Sequence, residues 1–281
     1  MVFERLYSAD FLKEKPYYGF LLGIGYTIIG LFIALMIFRE DPALIAIGIT
    51  CLLLIPSLQE LSTSSEIRAG EVKSVTEFIH TIIPHVKVYV FLFFGIFFTF
   101  AGFAIALPKL AAGHLFETQL AIVTGHATQF STALFLDLFA WNLQVLGLCF
   151  FLSLIAGNGA IFFIAWNASV WGTIFGNLAK TAALQSTANP LIVFVLIILS
   201  VFPHTFLEGL SYMLSAISGT TLSDGIVREQ MMSKRMKLVF KYGLILLGLA
   251  LCVLAIGMIV ETYVLGNFTT YRKIIQLAFP R

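Results

Sequence analysis

Seven apolar stretches decide what this chain can become. They are Tyr17–Phe38, Ala43–Leu58, Val88–Leu107, Leu134–Gly157, Ala160–Gly176, Leu191–Ser218 and Leu238–Leu265, and the only charged side chains in them are Asp137, Glu208, Lys241 and Glu261. The first holds none; at ~1.5 Å per residue its ~22 residues span ~33 Å, against a hydrocarbon core of ~30 Å. In lipid the backbone must satisfy its own polar groups, so runs of this kind become helices. Hydrophobic residues are 59% of the chain and charged residues 11%, where soluble domains have ~45–50% and ~25%. That imbalance excludes a soluble enzyme, a disordered chain and a nucleic-acid-binding domain. The fold class is all-α: a polytopic integral membrane helical bundle of about seven transmembrane passages.

The connections divide the chain. Tyr17–Phe38 and Ala43–Leu58, joined by the polar turn Arg39-Glu40-Asp41-Pro42, form an N-terminal transmembrane hairpin (residues 1–58) in which Gly19 and Gly23 offer a small-residue face for close packing. Residues 59–87 read as a cytoplasmic loop, Glu60 to Glu77, followed by an amphipathic lead-in in which Val72, Val75, Ile79, Ile82 and Ile83 recur at helical spacing. Residues 88–265 form a five-span core, and 266–281 an external tail, partly amphipathic. Within the core, Pro108–Thr132 is a long polar-leaning connection, Asp137 and Trp141 stand at the interface, Gly157-Asn158-Gly159 is a turn and Asn177–Pro190 a short loop. Leu191–Ser218 is too long for one straight crossing and contains Pro203, which breaks or kinks a helix; it is read as one bent passage, the sixth. Thr220–Arg235 is a polar, basic connection.

Basic residues stay on the cytoplasmic side of a membrane protein. With the N-terminus inside, the inner segments carry Arg5, Lys13, Lys15, Arg68, Lys73, Lys87, Arg228, Lys234, Arg235, Lys237 and Lys241, and the outer ones Arg39, Lys109, Lys180, Arg272, Lys273 and Arg281. The expected location is the cell membrane, multi-pass, with a cytoplasmic N-terminus and an external C-terminus. Splitting Leu191–Ser218 into a re-entrant hairpin would move the Arg228–Lys241 cluster outside and spoil the bias.

Ionisable and amide side chains inside the hydrocarbon are functional suspects. Asn142, Asn167, Asn177, His204 and Glu208 are the candidates for an intramembrane polar site. His204 and Glu208 stand one helical turn apart, and their face continues through Ser211 or Tyr212, Ser215 and Gly219. The plainest reading is a structural network in which His204 bonds Glu208 or a neighbouring helix; a solute pathway and a metal site are the alternatives, the last short of the three or four ligands a zinc site needs. Ser169, Thr173 and Asn177 line one face of the fifth span, beside a packing seam of Gly172 and Gly176. His114, Glu117 and His126 are loop residues with no metal spacing, Cys51, Cys149 and Cys252 read as small buried hydrophobes, and Asn267-Phe268-Thr269 is a glycosylation sequon on the outer side. No catalytic motif appears, and no cofactor or metal is expected.

Two stretches carry a resemblance. Gly157-Asn158-Gly159-Ala160 into Ala165-Trp166-Asn167-Ala168-Ser169-Val170, ending at Gly176-Asn177, resembles the stage II sporulation protein M family. Phe202-Pro203-His204-Thr205-Phe206-Leu207-Glu208 is similar to that family's Pro-His-Gly-x-x-Glu motif, with Thr205 in place of the glycine, and Asn142 matches an asparagine common there. The resemblance covers about Val88 to Leu265, and the preceding hairpin looks like an extension seen in archaeal members. It implies an integral membrane protein; the sporulation members work with peptidoglycan-degrading partners during engulfment. The expected function is a non-enzymatic scaffold for envelope or membrane remodelling partners, with the lipid bilayer, other membrane or envelope proteins and a second copy of the chain as its expected contacts. A channel or transporter for a small solute or ion, using the kinked sixth helix, is the alternative, and an intramembrane hydrolase ranks behind both.

Overall fold

The computed structural model describes residues 8–69, 72, 74–121, 132–267 and 269–278, and every regular element among them is helical. In chain order these are α1 (Ala9–Glu14), α2 (Tyr18–Ile37), α3 (Pro42–Ala69), α4 (Val75–Ala106), α5 (Lys109–Leu115), α6 (Glu117–Ala121), α7 (Thr132–Ala156), a 3-10 turn (Asn158–Ala160), α8 (Ile161–Ser186), α9 (Pro190–Arg228), α10 (Lys234–Asn267) and α11 (Thr269–Ala278). Seven of them, α2, α3, α4, α7, α8, α9 and α10, are long and apolar enough to cross a membrane. Arg5, Lys73, His126 and Arg281 lie outside the described residues, as do Phe268 of the sequon and the side chains of Arg68 and Arg272.

Small residues set the packing. A Cβ on Gly23 would stand 2.6 Å from the Leu92 carbonyl oxygen and 3.1 Å from the Gly95 Cα. The Gly19–Gly23 face therefore lets α2 lie directly on α4, Gly19 beside Val88 and Gly23 beside Leu92, so the two helices run in the same direction. Gly172 and Gly176 perform the same service for α8, seated against Phe97–Ala101 and Ala101–Ala104 of α4. On the opposite flank α7 runs with α9 in steady register: Asn142 meets Tyr212, Leu146 meets Ser215 and Phe150 meets Gly219. Hairpin partners run antiparallel. Thr50 of α3, whose hydroxyl donates to Ala46 O of its own helix (2.7 Å), lies 3.3 Å from the Tyr26 carbonyl of α2, and Ser218 of α9 donates to the Gly243 carbonyl of α10 (2.7 Å). The turn into α8 needs Gly157, whose φ of +59° suits glycine.

The helices are longer than the apolar runs that foretell them. Glu60–Ala69, expected as loop, continues α3, and α4 begins at Val75, so the lead-in and the third span are one helix. Val75, Ile79 and Ile83 face outward while Phe78, Ile82 and His85 are buried. α8 runs to Ser186, which leaves only residues 187–189 of the expected Asn177–Pro190 loop, and α9 runs to Arg228, through the polar Thr220–Arg228 segment. Polar residues keep a helix once neighbours pack on it. Phe78, outside the apolar stretches, stacks on Tyr242 at 4.6 Å, and Ser62 donates to Asp224 at 3.0 Å, both of them beyond those stretches. The tail contains α11, which packs back on α8 and α9 with Ile274 buried.

Pro203 does not interrupt α9, which is helical over all 39 residues, ~58 Å of helix. It lies obliquely across α4. Phe194 meets Phe97 and Phe98 while Phe202 and Phe206 both stack on Phe94, so ~18 Å of α9 crosses ~6 Å of α4.

Candidate functional site

The hydroxyls of the α9 face are consumed one by one. Ser211 donates to the Glu208 carbonyl (2.6 Å), Ser215 to Leu146 O on α7 (2.9 Å), Ser218 to Gly243 O on α10, and Thr220 to Gly157 O in the turn before α8 (3.1 Å). Each of the last three ties α9 to a different neighbour. Gly219 lies between them, so close to Phe150 O that no Cβ fits. This part of the stripe is interhelical adhesive.

Above it sits a polar cluster. The Asn142 Nδ2 donates to Leu138 O at 3.0 Å and lies 3.2 Å from the Met258 sulfur of α10. Its Oδ1 is in a short hydrogen bond with the Tyr212 hydroxyl. That same hydroxyl is 2.9 Å from Glu208 Oε1. Glu208 also interacts electrostatically with Glu261 of α10, whose Oε2 is buried without a hydrogen-bond partner. α7, α9 and α10 thus meet at Asn142, Tyr212, Glu208, Met258 and Glu261.

The candidate residues divide on this geometry. Asn142 and Glu208 are brought together through Tyr212. His204 is buried one turn away, but no hydrogen bond joins it to Glu208 and its Nδ1 has no partner. Asn167 is half-buried on α8, its Nδ2 donating to Phe163 O of its own helix at 2.8 Å, and Asn177 is half-buried further along α8; neither has a hydrogen bond to the cluster. Thr205 fills part of a cavity otherwise lined by apolar side chains, including Phe94, Phe97, Trp171 and Phe202, and gives its proton to Val201 O (2.7 Å). His114 and Glu117 are exposed, on α5 and α6.

Met258 and Glu261 are the cluster members that sequence reasoning left out of the site, because they come from another helix; Tyr212 was placed on the polar face but as an alternative to Ser211. A second polar group was missed with them, at the end of the bundle where α3 stops and α4 starts. There His85 Nε2 is 2.7 Å from Leu61 O, Tyr89 donates to Asn158 Oδ1 (3.2 Å), and these side chains surround a small cavity with Ser62, Thr220 and Thr221. Asp224 closes it through Ser62. The signal was present as helical spacing from His85 to Tyr89, hidden in a segment expected to be partly loop. Among the described residues no three His, Cys, Asp or Glu side chains gather as metal ligands.

Compared with known families, residues 89–264 match the model for stage II sporulation protein M. The chain belongs to the stage II sporulation protein M family. The matched span starts at Tyr89 in α4 and ends just past Glu261 in α10, so it contains the cluster around Tyr212, only part of the second polar group, and leaves the α2–α3 hairpin outside. In this member of the stage II sporulation protein M family the Pro-His-x-x-x-Glu stretch supplies Glu208 to the cluster, while Pro203 and Phe202 face outward. No curated protein and no solved structure matches the chain.

Proposed function

We propose that this protein is a non-enzymatic membrane scaffold that positions membrane or envelope partners. The observation that carries this reading is the way its intramembrane polar groups are spent: Ser215, Ser218 and Thr220 bind α9 to three neighbours, and glycine seams lock α2 and α8 onto α4. A bundle built this way favours a fixed shape over a water-filled path. His204 and Glu208 line neither of the two cavities described above. The basic cluster Arg228–Lys241 lies at the same end as Ser62 and Phe78, and the positive-inside tendency assigns that end to the cytoplasm. The same assignment leaves the C-terminus outside the cell membrane.

The test is crosslinking in native membranes followed by purification of the full-length protein. A stoichiometric membrane or envelope partner, or a second copy of the chain, is expected. The competing reading, a transporter, draws on the two carboxyl groups Glu208 and Glu261 inside the membrane. Solute or ion flux in proteoliposomes that Glu208→Gln abolishes, with no partner recovered, would replace the scaffold by that reading.

A further inference from the structure

The hydrogen bonds around Tyr212 can be counted. Asn142 has a carboxamide whose two ends are not interchangeable. Its Nδ2 faces Leu138 O, an acceptor with no proton to give, so the amide cannot be reversed without opposing two bare oxygens. The Oδ1 must therefore face the Tyr212 hydroxyl. A tyrosine hydroxyl has one proton, and the oxygen of Asn142 has none, so Tyr212 gives its proton to Asn142. The 2.9 Å contact from Tyr212 to Glu208 Oε1 then lacks a hydrogen unless the carboxyl supplies it.

We propose that Glu208 is a proton-binding site inside the membrane, and that its bound proton completes a directional chain, Glu208 to Tyr212 to Asn142 to Leu138 O, which ties α9 to α7. The chain runs one way because its far end is a backbone carbonyl. The titratable groups near Glu208 are His204 and Tyr212 on its own helix and Glu261 on α10, with Cys149 of α7 beside Tyr212. α4 and α8 present Phe93 and Trp171 there, against Gly209. None of these is a lysine or arginine. Asn142 is then a positioning residue: by claiming the Tyr212 proton, it obliges Glu208 to keep its own. This goes beyond the scaffold reading, since it concerns the state of one side chain and stands whichever function the bundle serves.

The experiment is infrared difference spectroscopy of the full-length protein in phospholipid vesicles at neutral pH, wild type against Glu208→Gln. The expected difference is the carbonyl stretch of a protonated carboxylic acid, displaced in frequency in Tyr212→Phe. A pair of carboxylate stretches in its place would overturn the assignment. Failure of Glu208→Gln to fold would also overturn it, because the amide donates a hydrogen as the neutral acid does. In Asn142→Leu, which frees the Tyr212 proton for Glu208, the acid band is expected to fall several-fold in favour of carboxylate. An acid band at full strength in that variant would show that burial alone holds the proton, and would remove Asn142 from the chain.

Discussion

Two glycines on α4 invite the same substitution with opposite outcomes. A Cβ at Gly95 would press on Phe20 O and stand 3.0 Å from both Gly23 Cα and Ile24 N. All three atoms are backbone of α2, so no side chain can swing aside and the helices must separate. A gap of ~0.5–1 Å forfeits a quarter to a half of each dispersion contact, and a seam of ~20 such contacts at ~0.15 kcal/mol each loses ~1 kcal/mol. Forced overpacking brings the total to ~1–3 kcal/mol. A Cβ at Gly102, on the outward face of the same helix, meets nothing within 4 Å. Alanine there gains helix propensity, up to ~1 kcal/mol. Gly95→Ala is therefore expected to unfold ~2 kcal/mol more easily than Gly102→Ala, a Tm difference of about 4–8 °C. Thermal unfolding of both purified variants in one detergent measures it. Equal Tm values, or the reverse order, would refute the claim that direct backbone contact at Gly95 holds α2 on α4.

Ser218→Ala removes the donor to Gly243 O, which keeps its own helical partner, and should cost ~0.5–1.5 kcal/mol, the net worth of one hydrogen bond; the shift in Tm against wild type reads it directly. Glu208→Gln should stay within ~1 kcal/mol of wild type, whereas Glu208→Ala leaves Tyr212 short of a partner and should lose ~1–3 kcal/mol, compared in the same assay. Cysteine introduced at Ser233, in the short connection between α9 and α10, should resist membrane-impermeant thiol reagents in intact cells and react once the membrane is opened. Labelling from outside would invert the proposed orientation.

Long apolar runs made the seven spans legible, because in lipid the backbone of such a run satisfies its own polar groups as a helix, and the Gly19–Gly23 and Gly172–Gly176 seams could be read from spacing. The helix ends could not. Glu60–Ala69 has the hydropathy of a loop, yet it continues α3, with Leu61 buried and Ser62 bonded to Asp224. The polar site was half legible. His204 and Tyr212 are each four residues from Glu208, and sequence favoured the histidine. Side chains on a helix lean toward its N-terminus. Tyr212 therefore reaches back over Glu208, whereas His204 leans away from it. Met258 and Glu261 join Asn142 from another helix, a juxtaposition that no local pattern encodes.

The inclined helix α9 is tethered unequally along its length. Beyond Glu208 it is stitched by hydroxyls to α7, α10 and the turn before α8. Among the described residues, positions 190–207 make no hydrogen bond to another helix, and this half rests on aromatic rings such as Phe194, Phe202 and Phe206. Rings slide where hydrogen bonds hold. A thicker or thinner bilayer changes the slope an oblique rod must take, and the strain falls on the half that can glide. Pro203, which lacks an N–H to give to the preceding turn, lies near the border between the two regimes. A single helix thus joins a half held by hydrogen bonds to a half held by apolar contact, and a change of bilayer thickness is expected to displace the second before the first.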